Sequence, residues 1–330
     1  ESTIKHLELL RNQNDGTATN SLLETIDRTL TSMGGRLLKK WIVEPLLHTK
    51  EIEKRLDIVD VFVQTPSLAA QLENSIKNIA DLERLAGRLV MDKATPKDLI
   101  SIKVSLQECG KIIELLGNIE QMKELFSTFA ALPEAVTLLD ERIKDDPATF
   151  IDEGNIVKDG FSKELDELKM LSSKSKEYIG KIESEIRANF DVPTLRIKYN
   201  KILGYFFEIS KVQSKNLNDD FILRQSLVNT CRYTNKELSE YESKVLTARE
   251  RINEIEQNIF IETREILLKS LVQIQENAEV ISKLDVLLSF AKISQERKYV
   301  RPKLNDGFDL EIIGGRHPVV ETKMDYDDFI

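Results

Sequence analysis

The chain has 330 residues, of which 41% are apolar, 31% charged and 6% aromatic, with 13 glycines and 8 prolines. That mix suits a helix-rich chain with a core of Leu, Ile, Val and Ala, excludes collagen-like repeats and low-complexity disorder, and leaves room for two or three domains. The net charge of −9 speaks against a nucleic-acid partner when averaged over the whole chain, which makes its regional distribution the question.

Cys109 and Cys231 are too few and too far apart for a disulfide framework or a zinc cluster, and His6, His48 and His317 are scattered singly. No apolar run approaches the ~20 residues of a membrane span, and no basic-then-apolar leader opens the chain. It starts at Glu1 without Met and ends at Asp328-Phe329-Ile330. These features suggest a reduced, intracellular protein without a membrane partner, and a piece of something longer.

Along the first 150 residues the spacing predicts a set of helices. Ser21 caps a segment carrying Leu22, Leu23, Ile26 and Leu30, and Gly34-Gly35 punctuates it. Arg36 to Val43 continues until Pro45. Segments 50–63, 67–90, 97–116 and 119–145 each show apolar residues at i, i+3 and i+4. Thr95-Pro96 predicts a helix start with Pro in the first turn. Residues 152–160, with two Gly and one Asn, form a connector, and 161–190 is helical again.

The period then changes. Leu195 to Asn200 alternates apolar and polar, Tyr205 to Ile209 is aromatic and β-branched, and a third run lies around Phe221 to Leu227. After this β island, Thr234-Asn235-Lys236-Glu237 matches a capping box. No Gly or Pro follows until Pro302. Leu238, Tyr241, Val245, Ala248, Ile252, Ile255 and Ile259 make a heptad-like seam that shifts frame between Phe260 and Leu268 and resumes at Leu271. The reading is one rod over 237–296, ~90 Å long at 1.5 Å per residue. The fold class expected is mainly α: a helical bundle with long antiparallel helices carrying a small inserted β-sheet.

Residues 194–236 hold eight basic side chains (Arg196, Lys198, Lys201, Lys211, Lys215, Arg224, Arg232, Lys236) and three acidic ones (Glu208, Asp219, Asp220), so this tip is +5 and the remainder −14. Strand alternation places Arg196, Lys198 and Asn200 on one face. Cationic and amide side chains there suit phosphate oxygens, which need donors but no particular base; a merely solvated strand face is the alternative. No phosphate loop is present, since Gly110-Lys111 and Gly180-Lys181 lack the upstream Gly. Asp325 to Asp328 has no partner at ligand spacing. No catalytic or metal-binding residues are assigned, so the chain itself reads as a non-enzyme.

Several further runs stand out together. They include Met33-Gly34-Gly35-Arg36-Leu37-Leu38 with Trp41, Asp81-Leu82-Glu83-Arg84-Leu85 and Gly204-Tyr205-Phe206-Phe207-Glu208-Ile209. Arg224-Gln225-Ser226-Leu227, Tyr299-Val300-Arg301-Pro302 and Gly315-Arg316-His317-Pro318-Val319-Val320-Glu321 complete the set, and together these runs resemble the MutS family of DNA mismatch repair proteins. The resemblance covers essentially the whole chain. It implies a core and lever domain in residues 1–190 and 237–304, an inserted β clamp in 191–236, and the start of an ATPase domain, its first strand, in 305–330. It implies backbone contacts to double-stranded DNA from Asn200, Arg224 and Asn229. Arg196 and Lys198 join by alternation, and Lys201, Gln225 and Arg232 by position. Val228 stands where the family often has Lys. For the longer protein the resemblance implies ATP and Mg, a homodimer, a MutL-type partner and a bacterial cytoplasmic, nucleoid-associated location. For this chain it implies no cofactor. Phe206-x-Glu208 and Phe260-x-Glu262 match the family's mismatch-reading pattern by coincidence only. The competing reading is a coiled-coil scaffold or dimerisation arm without a nucleic-acid role.

Overall fold

A computed structural model describes residues 2–173, 175–200 and 202–322. Its helices are α1 (Ser2–His6), α2 (Leu22–Ile26), α3 (Ser32–Val43), α4 (Thr49–Gln64), α5 (Pro66–Ile76), α6 (Leu82–Val90), α7 (Pro96–Leu116), α8 (Pro133–Arg142), α9 (Lys163–Ser173), α10 (Ser175–Phe190), α11 (Lys236–Leu268) and α12 (Leu271–Arg297). Four strands, β1 (Arg196–Asn200), β2 (Gly204–Ser210), β3 (Ile222–Ser226) and β4 (Thr230–Thr234), form one antiparallel sheet in the order β1-β2-β4-β3. The mainly α class with a small inserted sheet is therefore what the chain adopts. It divides into two compact units, residues 1–140 with 263–330, and residues 141–262, the boundaries falling inside α8 and α11.

The first unit is organised around α12. Ile274, Ala278, Ile281, Leu284, Val286, Leu287, Leu288 and Ala291 are all buried, so the helix is covered on every side, chiefly by α3, α4 and α6. Its buried polar residues act as hooks for loops. Asn277 donates to Ala130 O at 2.8 Å and accepts from Ala130 N at 3.0 Å; Ser289 accepts from Arg28 N at 2.8 Å. Asp285 accepts from Leu30 N at 2.9 Å, Thr31 N at 2.8 Å and Thr31 Oγ1 at 2.7 Å, although burial pushes its carboxyl up against those bonds.

Two of these hooks, Asp285 and Asn277, explain departures of the structure from the sequence expectations. Gly34-Gly35 does not interrupt a helix: Thr31 is the cap of α3, its side chain accepting from Gly34 N, and both glycines lie in the first turn. Gly34 is there because a Cβ would stand 2.2 Å from Asp285 Oδ2. The expected helix 119–145 is helical only as short turns until Pro133, because Asn277 takes both backbone groups of Ala130. The expected segment 67–90 is two helices, α5 and α6, parted where Asp81 caps α6. Thr95 and Pro96 start α7 as expected, with a capping box closed by Asp98. The long rod over 237–296 is likewise two helices. At Lys269 and Ser270 the bonding tightens to i−3, onto Ile266 O and Leu267 O, where the seam changes frame.

The second unit pairs α9 and α10 with α11. Val157, Leu165 and Ile255 form its core at one end, and Ile182, Ile186 and Leu238 join the sheet at the other. Glu256, fully buried on α11, accepts from Ile156 N and Val157 N, each at 3.3 Å, and pairs with Lys169 at 2.8 Å. The start of α11 is capped by Asn235, whose Oδ1 accepts from Leu238 N, rather than by Thr234, whose residue ends β4. Residues 298–322 contain one short helical turn, Val320–Thr322, and no strand among the described residues, with Phe308, Leu310 and Ile313 exposed. Residues 323–330, including the Asp325 to Asp328 run, lie outside the described residues.

Two tests follow from this packing. Gly34→Ala forces a methyl into the Asp285 carboxylate and is expected to lower stability by about 1–3 kcal/mol, as overpacking does, measured by denaturant unfolding. Asp81 accepts from Arg36 Nη1 at 2.8 Å, Arg36 Nη2 at 2.9 Å and Ser32 Oγ at 2.7 Å. Burial works to raise its carboxyl, but these bonds with the Arg84 N–H hold it below the usual carboxylate range. A depressed folded value stabilises at neutral pH and loses that contribution as pH falls through it. Asp81→Asn is therefore expected to cost about 1–3 kcal/mol at neutral pH, with the gap to wild type narrowing below about pH 4.

Candidate nucleic-acid interface

The pleat sorts the sheet into two chemically different faces. Residues opposite one another on neighbouring strands share a face. Ile197, Phe207, Tyr233 and Leu223 form one such row, and Phe207 and Tyr233 pack with Ile182, Ile186, Val192, Leu195, Phe221 and Leu238. The next row is Arg196, Glu208, Arg232 and Gln225, and Lys198 stands opposite Phe206. One face is thus the core of the second unit. The other is a row of cations and amides with a carboxylate at its centre.

That carboxylate is already engaged. Glu208 Oε1 accepts from Lys198 Nζ at 2.5 Å, and Oε2 lies 3.4 Å from Arg232 Nε. The Lys198 hydrogen bond, helped by Arg232 and opposed by burial, holds the Glu208 carboxyl below the usual range. The Arg232 guanidinium is steadied by donating to Gln225 Oε1 at 2.8 Å and by lying 4.6 Å from the centre of the Phe206 ring. Arg196 pairs with Glu183 of α10 at 3.1 Å. Glu183 Oε2 also accepts from Ile197 N at 2.8 Å, which fixes β1 against the helix.

Four of the expected contact residues, Arg196, Lys198, Gln225 and Arg232, therefore come together on one face. Asn200, two residues beyond Lys198 on β1, keeps to that face by alternation, and the others do not sit beside them. Asn200 closes the β1–β2 turn, its Oδ1 accepting from Ile202 N at 3.0 Å and Leu203 N at 2.7 Å. Asn229 lies in the β3–β4 turn, where its carbonyl accepts from Lys211 N at 3.1 Å. Antiparallel pairing puts those two turns at opposite ends of the sheet, ~20 Å apart along β2. Arg224 is the extra residue of a bulge between Leu223 and Gln225 on edge strand β3. A bulge frees a side chain from strict alternation, and Arg224 is exposed with no acidic partner among the described residues. Lys201 lies outside the described residues.

Sequence reasoning missed three contributors. Strand β4 is only five residues and runs straight into the cap of α11. Glu183 carries no sequence signal of its own, because it reaches the sheet from a helix. Glu242 of α11 braces the β1–β2 turn by accepting from Tyr205 N at 3.2 Å. There Gly204 has φ +72°, and a Cβ would lie 1.8 Å from Glu242 Oε1. Four tyrosines continue from this turn, with ring centroids 5.0 Å apart for Tyr199–Tyr205, 6.2 Å for Tyr205–Tyr241 and 4.7 Å for Tyr241–Tyr178.

Elsewhere, His6 and His317, far apart in sequence, line one cavity of about 430 Å³ with Glu8, Asn12 and Asn20. Among the described residues no group of three or more His, Cys, Asp or Glu side chains has metal-binding spacing. Both cysteines are buried, and burial pushes the Cys109 thiol up to about 12. No described helix is long and apolar enough to cross a membrane.

A helical protein that presents a small sheet with one apolar face and one face of cationic and amide side chains is the class these features define. Comparison with known proteins gives the family: residues 2–291 match MutS domain III, and the chain belongs to that family. It is 40% identical over 98% of its length to a DNA mismatch repair protein MutS of Caldanaerobacter subterraneus subsp. tengcongensis. It is 39% identical over its full length to that of Alkaliphilus metalliredigens, and 35% over 98% to that of Salinibacter ruber. The chain spans about 38% of the first two relatives' length and 36% of the third's.

Gly204→Ala is expected to strain the β1–β2 turn by about 1–3 kcal/mol. Amide exchange should accelerate in β1 and β2 while helices of the first unit keep their protection.

Proposed function

We propose that this chain belongs to a mismatch repair protein and grips the backbone of double-stranded DNA with the cationic face of its sheet. The observation that carries the reading is the row Arg196, Glu208, Arg232 and Gln225 with Lys198 beside it, on the face turned away from the core. Guanidinium, ammonium and amide donors suit phosphate oxygens, and contacts to phosphate carry no sequence information, so a grip on the backbone is independent of sequence. Arg224, exposed on edge strand β3, adds a further cation at the edge of the sheet. The net acidity of the chain does not oppose this role, because the acidic excess lies outside residues 194–236.

The helices serve as levers in this proposal. α11 runs 33 residues, ~50 Å, without a Gly or Pro. Such an element passes a shift at one end to the other, and coupling needs a physical link of that kind. ATP with Mg, pairing with a second copy and a MutL-type partner are assigned to the longer protein. Within it this chain works mechanically and hydrolyses nothing, on the bacterial nucleoid. A dimerisation arm is less well supported: Leu238 and Ile255 of the α11 seam are already buried against helices of their own unit.

Fluorescence anisotropy with a labelled duplex tests the grip. Arg224→Glu and Lys198→Glu are each expected to weaken binding about tenfold at low salt and to flatten the salt dependence by about one unit of slope. Unchanged binding in both variants would remove these residues from the interface, and ATP hydrolysis by the chain alone would contradict the mechanical role.

A further inference from the structure

We propose that Glu208 is a built-in counter-ion that holds the phosphate-binding donors until DNA arrives, so that duplex binding exchanges this carboxylate for phosphate; the proposal rests on the backbone-gripping role above. Three features single out Glu208. It stands on β2, between the strands that carry Lys198 and Arg232, directly opposite Arg196 and Arg232 in register. Its two oxygens are divided between those strands, Oε1 to Lys198 at 2.5 Å and Oε2 to Arg232 at 3.4 Å. Those are its only hydrogen bonds among the described residues, so the carboxylate fastens no backbone and no loop.

Glu183 is the instructive contrast. It too meets a cation of the face, Arg196, but it also accepts from Ile197 N and pairs with Arg187 on its own helix. Its removal would strip partners from β1. Glu208 can release its cations at no such cost to the fold.

Carboxylate and phosphate oxygens ask for the same donors in the same geometry. Gln225 and the Phe206 ring keep the Arg232 guanidinium in place while its anionic partner changes. After the exchange the Glu208 charge remains under the duplex and opposes the phosphates that displaced it. The face therefore grips loosely and lets go readily, as suits a reversible hold on DNA of any sequence.

Glu208→Gln preserves shape and removes the charge. In anisotropy titrations of the chain with a fluorescein-labelled duplex between about 50 and 300 mM KCl, it is expected to bind about 3–10-fold tighter at the low end. The slope of log K against log salt should steepen by up to ~0.9, the equivalent of one more neutralised phosphate. Glu265→Gln makes the same change of net charge at an exposed site in the first unit and should alter neither quantity. The wild type supplies an independent readout: by carboxyl ¹³C NMR, the Glu208 titration midpoint should rise on saturation with duplex, as it leaves Lys198 and meets phosphate.

An unmoved midpoint in the saturated complex overturns the proposal whatever the variant does. Equal tightening by E208Q and E265Q also overturns it, since net charge alone then accounts for the effect. If neither wild type nor E208Q binds duplex at low salt, the DNA-gripping reading itself fails and takes this one with it.

Discussion

Carboxylates removed from water and given to backbone N–H groups hold both long helices in place. Asp285 on α12 takes Leu30 N and Thr31 N; Glu256 on α11 takes Ile156 N and Val157 N, together with Lys169. A buried charge without partners is prohibitively unfavourable, so each helix is bound to one register relative to the loop it holds. Much else depends on this. Gly34 is small because Asp285 reaches the first turn of α3, and the segment before α8 departs from a helix because Asn277, two turns before Asp285, takes the Ala130 backbone.

The same electrostatic logic, worked on the surface instead of in the core, shapes the sheet. Pleating delivers apolar side chains to α10 and α11 and polar ones to the opposite face. Donors crowded on that face would repel one another, and the fold answers by interposing Glu208 and bringing in Glu183 from α10. The face is consequently less positive than its own strands suggest. Surface pairs of this kind contribute little to stability, so their importance lies in what they leave available for a ligand. A grip built on exchangeable pairs suits reversible attachment to a uniform polyanion, whereas the fixed pairs of Glu183 and Glu256 suit permanent geometry.

Much of the fold was legible in the residues because it is set by local patterns. Alternation in Leu195 to Asn200 marked β1, apolar spacing marked α4 and α7, and Thr95-Pro96 marked a helix start that the structure reproduces. Three of the errors were made where a polar side chain captured backbone, whereas the rod over 237–296 breaks at its own change of frame near Lys269 and Ser270. Asn277 broke up 119–145, Asp285 drew Gly34 into a helix, and Asp81, tied to Arg36, divided 67–90. For the interface, the residue types and the core-versus-solvent alternation were legible. The contributions of Glu183 and Glu242 were not, since each comes from a helix whose spacing says only which side is apolar.

By itself, then, the sequence determined the class of the fold, the position of the β insertion and the concentration of basic residues within it. Periodicity and charge are properties of neighbours along the chain. Only the tertiary structure decided which of those cations share a face, which of them are already neutralised, and that Asn200 and Asn229 stand at opposite ends of the sheet. Register and pairing across strands are fixed by contacts between residues far apart in sequence, such as Arg196 with Glu208 and Glu208 with Arg232. The first impression of an acidic protein ill-suited to DNA yields to a finer division: acidic helices, and a basic face whose charge is held in check by its own carboxylates.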